Sequence, residues 1–351
     1  MSFIFIFIAI LHTIKFFANN KKKYFLFFYP LFNKRDIIYN FGKQDMNDQI
    51  LKYTKNLSLE EILEHYHTIE AEAEAIRNSD KKTISAQFEN FYARKLNIGI
   101  GYQRSYGSIL SGDYYELFKL PDGNYLFVFA DISGHGLPAY TTLIRLRCAI
   151  ALTVKEFEVC YNNKSPLNIE KLIFNIGEKF TDIMDSYNSH DFASVVFTSI
   201  RNENDMYHLR FFSRGMHFPF IVRKFQNVAK DVYDLNTTEK GWIPRKGHLL
   251  GSEIRKILGE KYNDYPNCEF VLYEGDTIMY FSDGIIEATD VNNTFVEFGT
   301  ERLKALFIEN VTHHPSIIIN NIFDEITKFI GQQRRQEDDM TAVIIDFPLV
   351  R

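Results

Sequence analysis

The chain has 351 residues, enough for one large domain or two, and its hydrophobic fraction of 46% suits a globular core made aromatic by 33 Phe and 20 Tyr. A net charge of −5 leaves no electrostatic footprint for nucleic acid. The scattered Cys148, Cys160 and Cys268 form neither a metal spacing nor a disulfide framework, which suits a reducing compartment, and no P-loop, HExxH, GxSxG or solenoid-period repeat occurs.

Residues 3–11 are wholly apolar, 19–23 are polar and basic, and 24–32 are apolar again. Neither apolar run has the roughly 18–20 residues of a membrane helix, and the basic start and small-x-small cleavage site of a signal peptide are missing. Three readings stay open for residues 1–45. They are a non-native start upstream of Met46, an ordinary packed segment, or a membrane anchor or interfacial segment in residues 1–32 whose Lys21, Lys22 and Lys23 meet cytoplasmic headgroups. Residues 33–56 have a linker's polar mixture. Ser58-x-x-Glu61 matches a capping box, and Leu59, Ile62, Tyr66, Ile69, Ala73 and Ile76 follow at alternating spacings of three and four. Residues 46–95 therefore read as a linker and a helix. That helix either lies on the following domain or pairs as a short coiled coil, giving a homodimer through residues 58–95.

Residues 96–103 alternate apolar and polar side chains, as a half-buried strand does. Asp122-Gly123 is turn chemistry between two apolar runs, so residues 113–131 read as a hairpin. Pro138 suits the start of a helix that continues through residues 143–159, and Pro166 and Asn168 precede another to about residue 185. Residues 192–200, 207–212 and 218–223 read as a meander of antiparallel strands, and 224–266 as loop. Residues 277–281 read as a strand, 300–307 and 315–330 as helices, and 340–347 as a closing strand. Strands and long helices cluster rather than alternate, which predicts an α+β fold of antiparallel sheets covered by helices.

Several of these strands carry acids at their ends. Asp131 follows the run 125–130 and precedes the small, flexible residues 132–136; Asp283 follows 277–281 closely; Asp338 and Asp339 precede 340–347. Taken singly, Asp131 and Asp283 read equally well as turn or cap residues. A carboxylate at the tip of an apolar strand is costly unless something positive meets it, and an offset hairpin brings Asp113 near Asp131. Hard divalent cations take carboxylate and carbonyl oxygens, so the acids together predict an oxygen-ligated metal site.

The stretches GDYYEL (112–117), ADISGHG (130–136), SRGMHFP (213–219), GDTIMYFSDGIIEATD (275–290) with FGTERL (298–303), and DDMTAVII (338–345) carry a resemblance. In this order they resemble the motifs of SpoIIE/RsbU-type members of the PPM metal-dependent serine/threonine protein phosphatases. The resemblance spans residues 96–347 and implies an α-β-β-α sandwich with two Mn2+ or Mg2+ ions at one edge of the central sheets. It implies that Asp131 bridges both ions, with the carbonyl of Ile132 also a ligand. Asp283 and Asp338 would complete the first ion, and Asp113 would hold the second, directly or through water. Asp338 is preferred to Asp339 because the family's ligand lies just before the residue that precedes the Met-Thr pair. Glu287 sits where relatives have an acid near an additional metal, or serves as a hydrogen-bond acceptor. Gly112, Gly134, Gly136 and Gly284 would supply backbone freedom. Ser111, Leu137-Pro138 and a displaced His217 depart from the usual motifs without removing a ligand.

The activity so implied is hydrolysis of phosphoserine or phosphothreonine by metal-activated water, with Asp131 and Asp113 as catalytic carboxylates. His135 is either a proton donor to the leaving alkoxide or a hydrogen-bonding loop residue. Arg104, Arg145 and Arg214 are either grips for the substrate phosphate or ordinary surface and helix residues. The implied partner is a phosphorylated regulatory protein, such as a STAS-type anti-sigma antagonist, met by a cytoplasmic catalytic domain of residues 96–351. Two rival readings are a catalytically inactive phosphoprotein-binding module and a metal-dependent hydrolase of small phosphoesters.

Overall fold

The computed structural model describes residues 96–347, apart from 107, 109, 162–166, 204–205, 226–227, 236–246, 264 and 332–336. The N-terminal apolar segment, the linker and the helix stripe with its capping box lie outside the described residues.

β1 (Asn97–Gln103), β2 (Tyr114–Lys119) and β3 (Tyr125–Ile132) come first. The β2–β3 hairpin closes on Asp122-Gly123 as expected: Asp122 Oδ1 accepts from Asn124 N at 3.1 Å and Gly123 takes a φ of 86°. α1 (Gly136–Cys160) carries Pro138 in its first turn. α2 (Ile169–Ser186) is capped by Asn168, whose side chain accepts from Lys171 N at 2.9 Å. Next come β4 (Ala193–Glu203), β5 (Met206–Arg214), β6 (Phe220–Phe225) and β7 (Val228–Asp234). They are followed by α3 (Ser252–Leu258), a 3-10 turn (Gly259–Asn263), β8 (Asn267–Leu272) and β9 (Thr277–Phe281). The short α4 (Asp283–Ile286), α5 (Thr300–Asn310), α6 (Pro315–Ile330) and β10 (Met340–Asp346) complete the order. Pro315 opens α6 and Gly331, at φ 81°, ends it.

The strands form two five-stranded antiparallel sheets, ordered β1-β10-β9-β6-β7 and β2-β3-β4-β5-β8. α1 packs on β3 and α2, α6 packs on β1 and β10, and α5 packs on α6, so the layers run α-β-β-α. α1 has the length and apolar character of a membrane span by those two measures alone; in this fold it is a covering layer. Alternation along β9 and β10 sorts their side chains between two cores. Ile278, Tyr280, Val343 and Ile345 enter the space between the sheets with Phe127 and Phe129. Met279, Phe281, Ala342 and Ile344 pack with Phe307, Ile318 and Ile322 beneath α5 and α6. Phe127 and Tyr280 bridge the sheets with ring centroids 4.8 Å apart, and Tyr280 OH donates to Thr198 Oγ1 at 3.1 Å.

Two expectations are corrected here. β6 is not the third strand of a meander: β4 and β5 pair with each other, but β6 crosses to the other sheet, between β9 and β7. The crossing follows Gly215, whose φ of 79° ends β5, and Met216 and Phe218 bury themselves in the inter-sheet core on the way. The stretch 224–266 is also less loop-like than read, since it holds β7, α3 and the 3-10 turn. β7 and β8 are edge strands with exposed polar residues such as Asp231 and Glu269, so neither shows a continuous apolar run.

Candidate metal centre

The register of β2 and β3 pairs Tyr114 with Ala130, and the next step along the hairpin sets Asp113 opposite Asp131. Tyr115, Leu117, Phe127 and Phe129 face the inter-sheet core, so by period two both acids continue that face at the same edge. The other sheet arrives there with β9 and β10. Ser282 N donates to Thr341 O and Thr341 N donates to Ser282 Oγ, each at 2.9 Å. Ser282 Oγ in turn donates to Asp113 Oδ2 at 2.9 Å, which ties the two sheets together at this edge. Asp283 then opens α4, and Asp338 and Asp339 lead into β10.

The charges of these acids act on one another. Burial pushes the Asp131 carboxyl well above its usual range, and the charges of Asp113, Asp283 and Asp338 push it further. Asp113 is raised first by burial; the hydroxyls of Thr341 and Ser282 oppose the rise, while Asp339 and Asp283 add to it. Burial also raises Asp338, against the Asp339 N–H and the His135 charge. Asp113 Oδ1 and Asp283 Oδ1 are buried and accept no hydrogen bond. Mutually repelling carboxylates with orphaned oxygens fit a divalent cation, whose charge would favour the ionised form of each of them. Among the described residues no three His, Cys, Asp or Glu side chains are already drawn up around one point. An ion held by Asp131, Asp283 and Asp338 together would therefore have to draw these carboxylates closer, whereas one held by one or two carboxylates and several waters would not.

Asp339 has a different task from Asp338. It is 2% exposed, and its two oxygens accept from Ser105 N at 2.8 Å and Gly112 N at 3.0 Å. It thereby straps the segment before β2 onto the start of β10. Close approach explains two glycines. A Cβ on Gly112 would lie 2.8 Å from Ile132 O, and one on Gly284 would lie 2.1 Å from Asp339 O. Gly134 and Gly136 instead take positive φ, 78° and 73°.

The remaining candidates are scattered around this edge or away from it. His135 is exposed, with Nδ1 3.0 Å from Ser108 Oγ. Glu287 is exposed at the end of α4, where its N–H donates to Asp283 O at 2.8 Å. The His217 ring lies 5.6 Å from that of Phe281. Arg104 is half-buried, and Arg145 sits 4.5 Å over the Tyr187 ring. Arg214 is 2% exposed, donates through Nη1 to Tyr262 O at 2.8 Å and stacks on that ring, while its Nε and Nη2 are buried without a hydrogen-bond partner. Sequence reasoning missed Ser282 as the support of Asp113 and Thr341 as the residue whose N–H holds Ser282. The alternation that places Tyr280 and Val343 in the core could have found them, since each lies two residues along the same face.

The profile of the family Stage II sporulation protein E (SpoIIE) matches residues 121–348, well over half of the chain. The phosphoserine phosphatase RsbU of Bacillus subtilis (strain 168) is 24% identical over 238 residues, and the match spans 67% of this chain and 59% of that relative's length. Among solved structures, the SiaA-PP2C domain of Pseudomonas aeruginosa superposes with a TM-score of 0.58 at 16% identity, covering 81% of this chain and 97% of that one. The PP2C phosphatase domain of SpoIIE from Bacillus subtilis, with a fragment of its regulatory domain, gives a TM-score of 0.49 at 20% identity over 73% of this chain and 64% of that one. The SiaA domain supports the layered fold, and the family profile settles descent: the chain belongs to the SpoIIE family, among the SpoIIE/RsbU-type PPM phosphatases.

Proposed function

We propose that residues 96–351 are a metal-dependent protein serine/threonine phosphatase domain, with residues 46–95 as an input or dimerising segment and residues 1–45 ahead of them as a candidate membrane contact. The observation that carries the reading is the sheet edge where Asp113, Asp131, Asp283 and Asp338 load one another with negative charge while two buried oxygens go unpartnered. Asp131 would bridge two Mn2+ or Mg2+ ions, helped by the Ile132 carbonyl. Asp283 and Asp338 would complete one ion and Asp113 would hold the other. Bound there, the ions would supply charge neutralisation and an activated water for in-line attack on phosphorus. The chain's own part is positioning. Ser282 orients Asp113, Gly112 gives the Ile132 carbonyl room, and Asp339 holds the segment that leads to Asp113. Glu287 is left for an outer contact.

The relative RsbU bears the name of a phosphoserine phosphatase, which supports phosphoserine on a regulatory protein, such as a STAS-type anti-sigma antagonist, as the substrate class. Purified chain loaded with Mn2+ should hydrolyse p-nitrophenyl phosphate, lose that activity in EDTA, and prefer phosphopeptides to free nucleotides. Calorimetry that finds no Mn2+ binding at millimolar metal would favour an inactive phosphoprotein-binding module instead. A strong preference for nucleotides would favour a small-phosphoester hydrolase.

A further inference from the structure

A chain of hydrogen bonds runs from the buried strap to the loop between β3 and α1. Ser105 N donates to Asp339 Oδ1 at 2.8 Å, Ser105 Oγ donates to Ser108 Oγ at 2.8 Å, and Ser108 Oγ lies 3.0 Å from His135 Nδ1. Asp339 and Ser105 are 2% and 3% exposed, Ser108 is half-buried and His135 is exposed. The network therefore has a rigid inner end and an imidazole at its outer end. His135 holds the N-cap position of α1, four residues on from Asp131 at the tip of β3. An exposed imidazole is otherwise free to rotate, and a bond at one ring nitrogen sets both its orientation and which nitrogen is left for a ligand.

We propose that Ser108, steadied by Ser105 and through it by Asp339, is a positioning residue that orients His135 to protonate the departing seryl or threonyl oxygen; this rests on the phosphatase reading above. Ser108 Oγ has two lone pairs. One accepts from Ser105, and the other accepts Nδ1–H of the imidazolium, which leaves the Nε2 proton as the one to be given. As the phosphorus–oxygen ester bond breaks, its electron pair goes to the leaving oxygen and the Nε2 proton moves onto it. Solvent returns a proton to the imidazole.

p-Nitrophenolate departs as a stable anion, whereas a seryl alkoxide needs a proton, so a pair of substrates separates orientation of His135 from damage to the metal centre. In the Mn2+-loaded full chain, Ser108→Ala should lower kcat on a phosphoserine peptide about 10-fold more than kcat on p-nitrophenyl phosphate, within the roughly 10²–10⁴-fold that general acid catalysis contributes. His135→Gln should shift the same ratio about 100-fold, and adding Ser108→Ala to it should move the ratio no further. Ser108→Thr keeps the hydroxyl and should restore the ratio. A Ser108→Ala variant that loses both activities in equal proportion overturns the inference and leaves the phosphatase reading standing. An unmodified chain inactive on both substrates overturns the reading and the inference together.

Discussion

β9 and β10 lie side by side in the middle of their sheet, and both ends of the pair are acidic. At one end the fold supplies its own cations. Arg223 forks onto buried Asp276 at 3.1 and 2.9 Å, the Tyr273 N–H adds a third bond at 2.9 Å, and Lys224 pairs with Asp346, which also accepts from Thr277 Oγ1 at 2.7 Å. Arg223 is held further by the rings of Tyr233, Phe270 and Tyr273, at 5.4, 5.6 and 4.6 Å. At the other end Asp283 and Asp338 lie with Asp113 and Asp131, and the charge of Asp283 makes Asp113, Asp131 and Asp338 harder to ionise. Burial of an acid does not by itself mark a site. Where a guanidinium or ammonium is built in, the pair closes on itself; where carboxylates face one another, the compensating charge has to come from outside.

The sharpest way to break this contrast is to remove one acid from each end. Asp131→Asn or Asp283→Asn should cut turnover by about 10²-fold or more, while the metal-free protein stays folded and melts no lower, because a repelling charge has gone. Turnover of p-nitrophenyl phosphate and melting temperature in EDTA read the two halves of that expectation. Unchanged turnover in either variant would refute the metal assignment. Asp276→Asn should do the opposite. It strands a partly buried guanidinium, costs about 2–3 kcal/mol in denaturant unfolding, and leaves turnover per folded molecule close to that of the unmodified chain. If Asp276→Asn instead abolished activity in folded protein, the two ends would not be separable as described.

A smaller effect is expected from Asp339→Asn. The carboxylate accepts two backbone N–H groups, and the amide can accept only one of them, so either Ser105 or Gly112 loses its partner. The expected loss is about 1–3 kcal/mol of stability, with turnover falling about 10-fold because the segment leading to Asp113 is loosened. Metal affinity should fall less than in Asp131→Asn, and isothermal titration with Mn2+ measures the difference.

Much of this edge was legible in the residues. The apolar run 125–130 placed Asp131 at a strand tip, and the limits read for residues 277–281 and 315–330 agree with β9 and α6. The hairpin turn at Asp122-Gly123 was enough to bring Asp113 toward Asp131. The departure of β6 to the second sheet was not legible, because an apolar run of six residues pairs equally well with either neighbour and local pattern carries no information on which. Ser105 and Ser108 were invisible for a different reason. Ser105 draws its place from Asp339, 234 residues away, and no spacing rule spans that distance.

A third kind of acid, matched by cations at the surface, sharpens the comparison by the least. Asp185, near the end of α2, pairs with Ser252, with Arg255 at 2.8 Å and with Lys256 at 3.2 Å, all on α3. The Ser252 hydroxyl above all, with Lys256 and Arg255, holds its carboxyl down to about 2, the reverse of what neighbours do to Asp131. A folded-state value below the ordinary ~3.9 of an unfolded chain gives stability that is present above about pH 4 and lost as pH falls through about 2. Acid titration followed by hydrogen exchange should therefore show α3 loosening from α2 in that window, and Asp185→Asn should flatten the dependence there. The Asp185 side chain is 33% exposed, so salt screens these pairs, and raising ionic strength should shrink the difference between the two proteins. An Asp185→Asn protein with an unchanged acid profile would mean that the cations of α3 do not stabilise this carboxylate, and that only buried acids in this fold are governed by their partners.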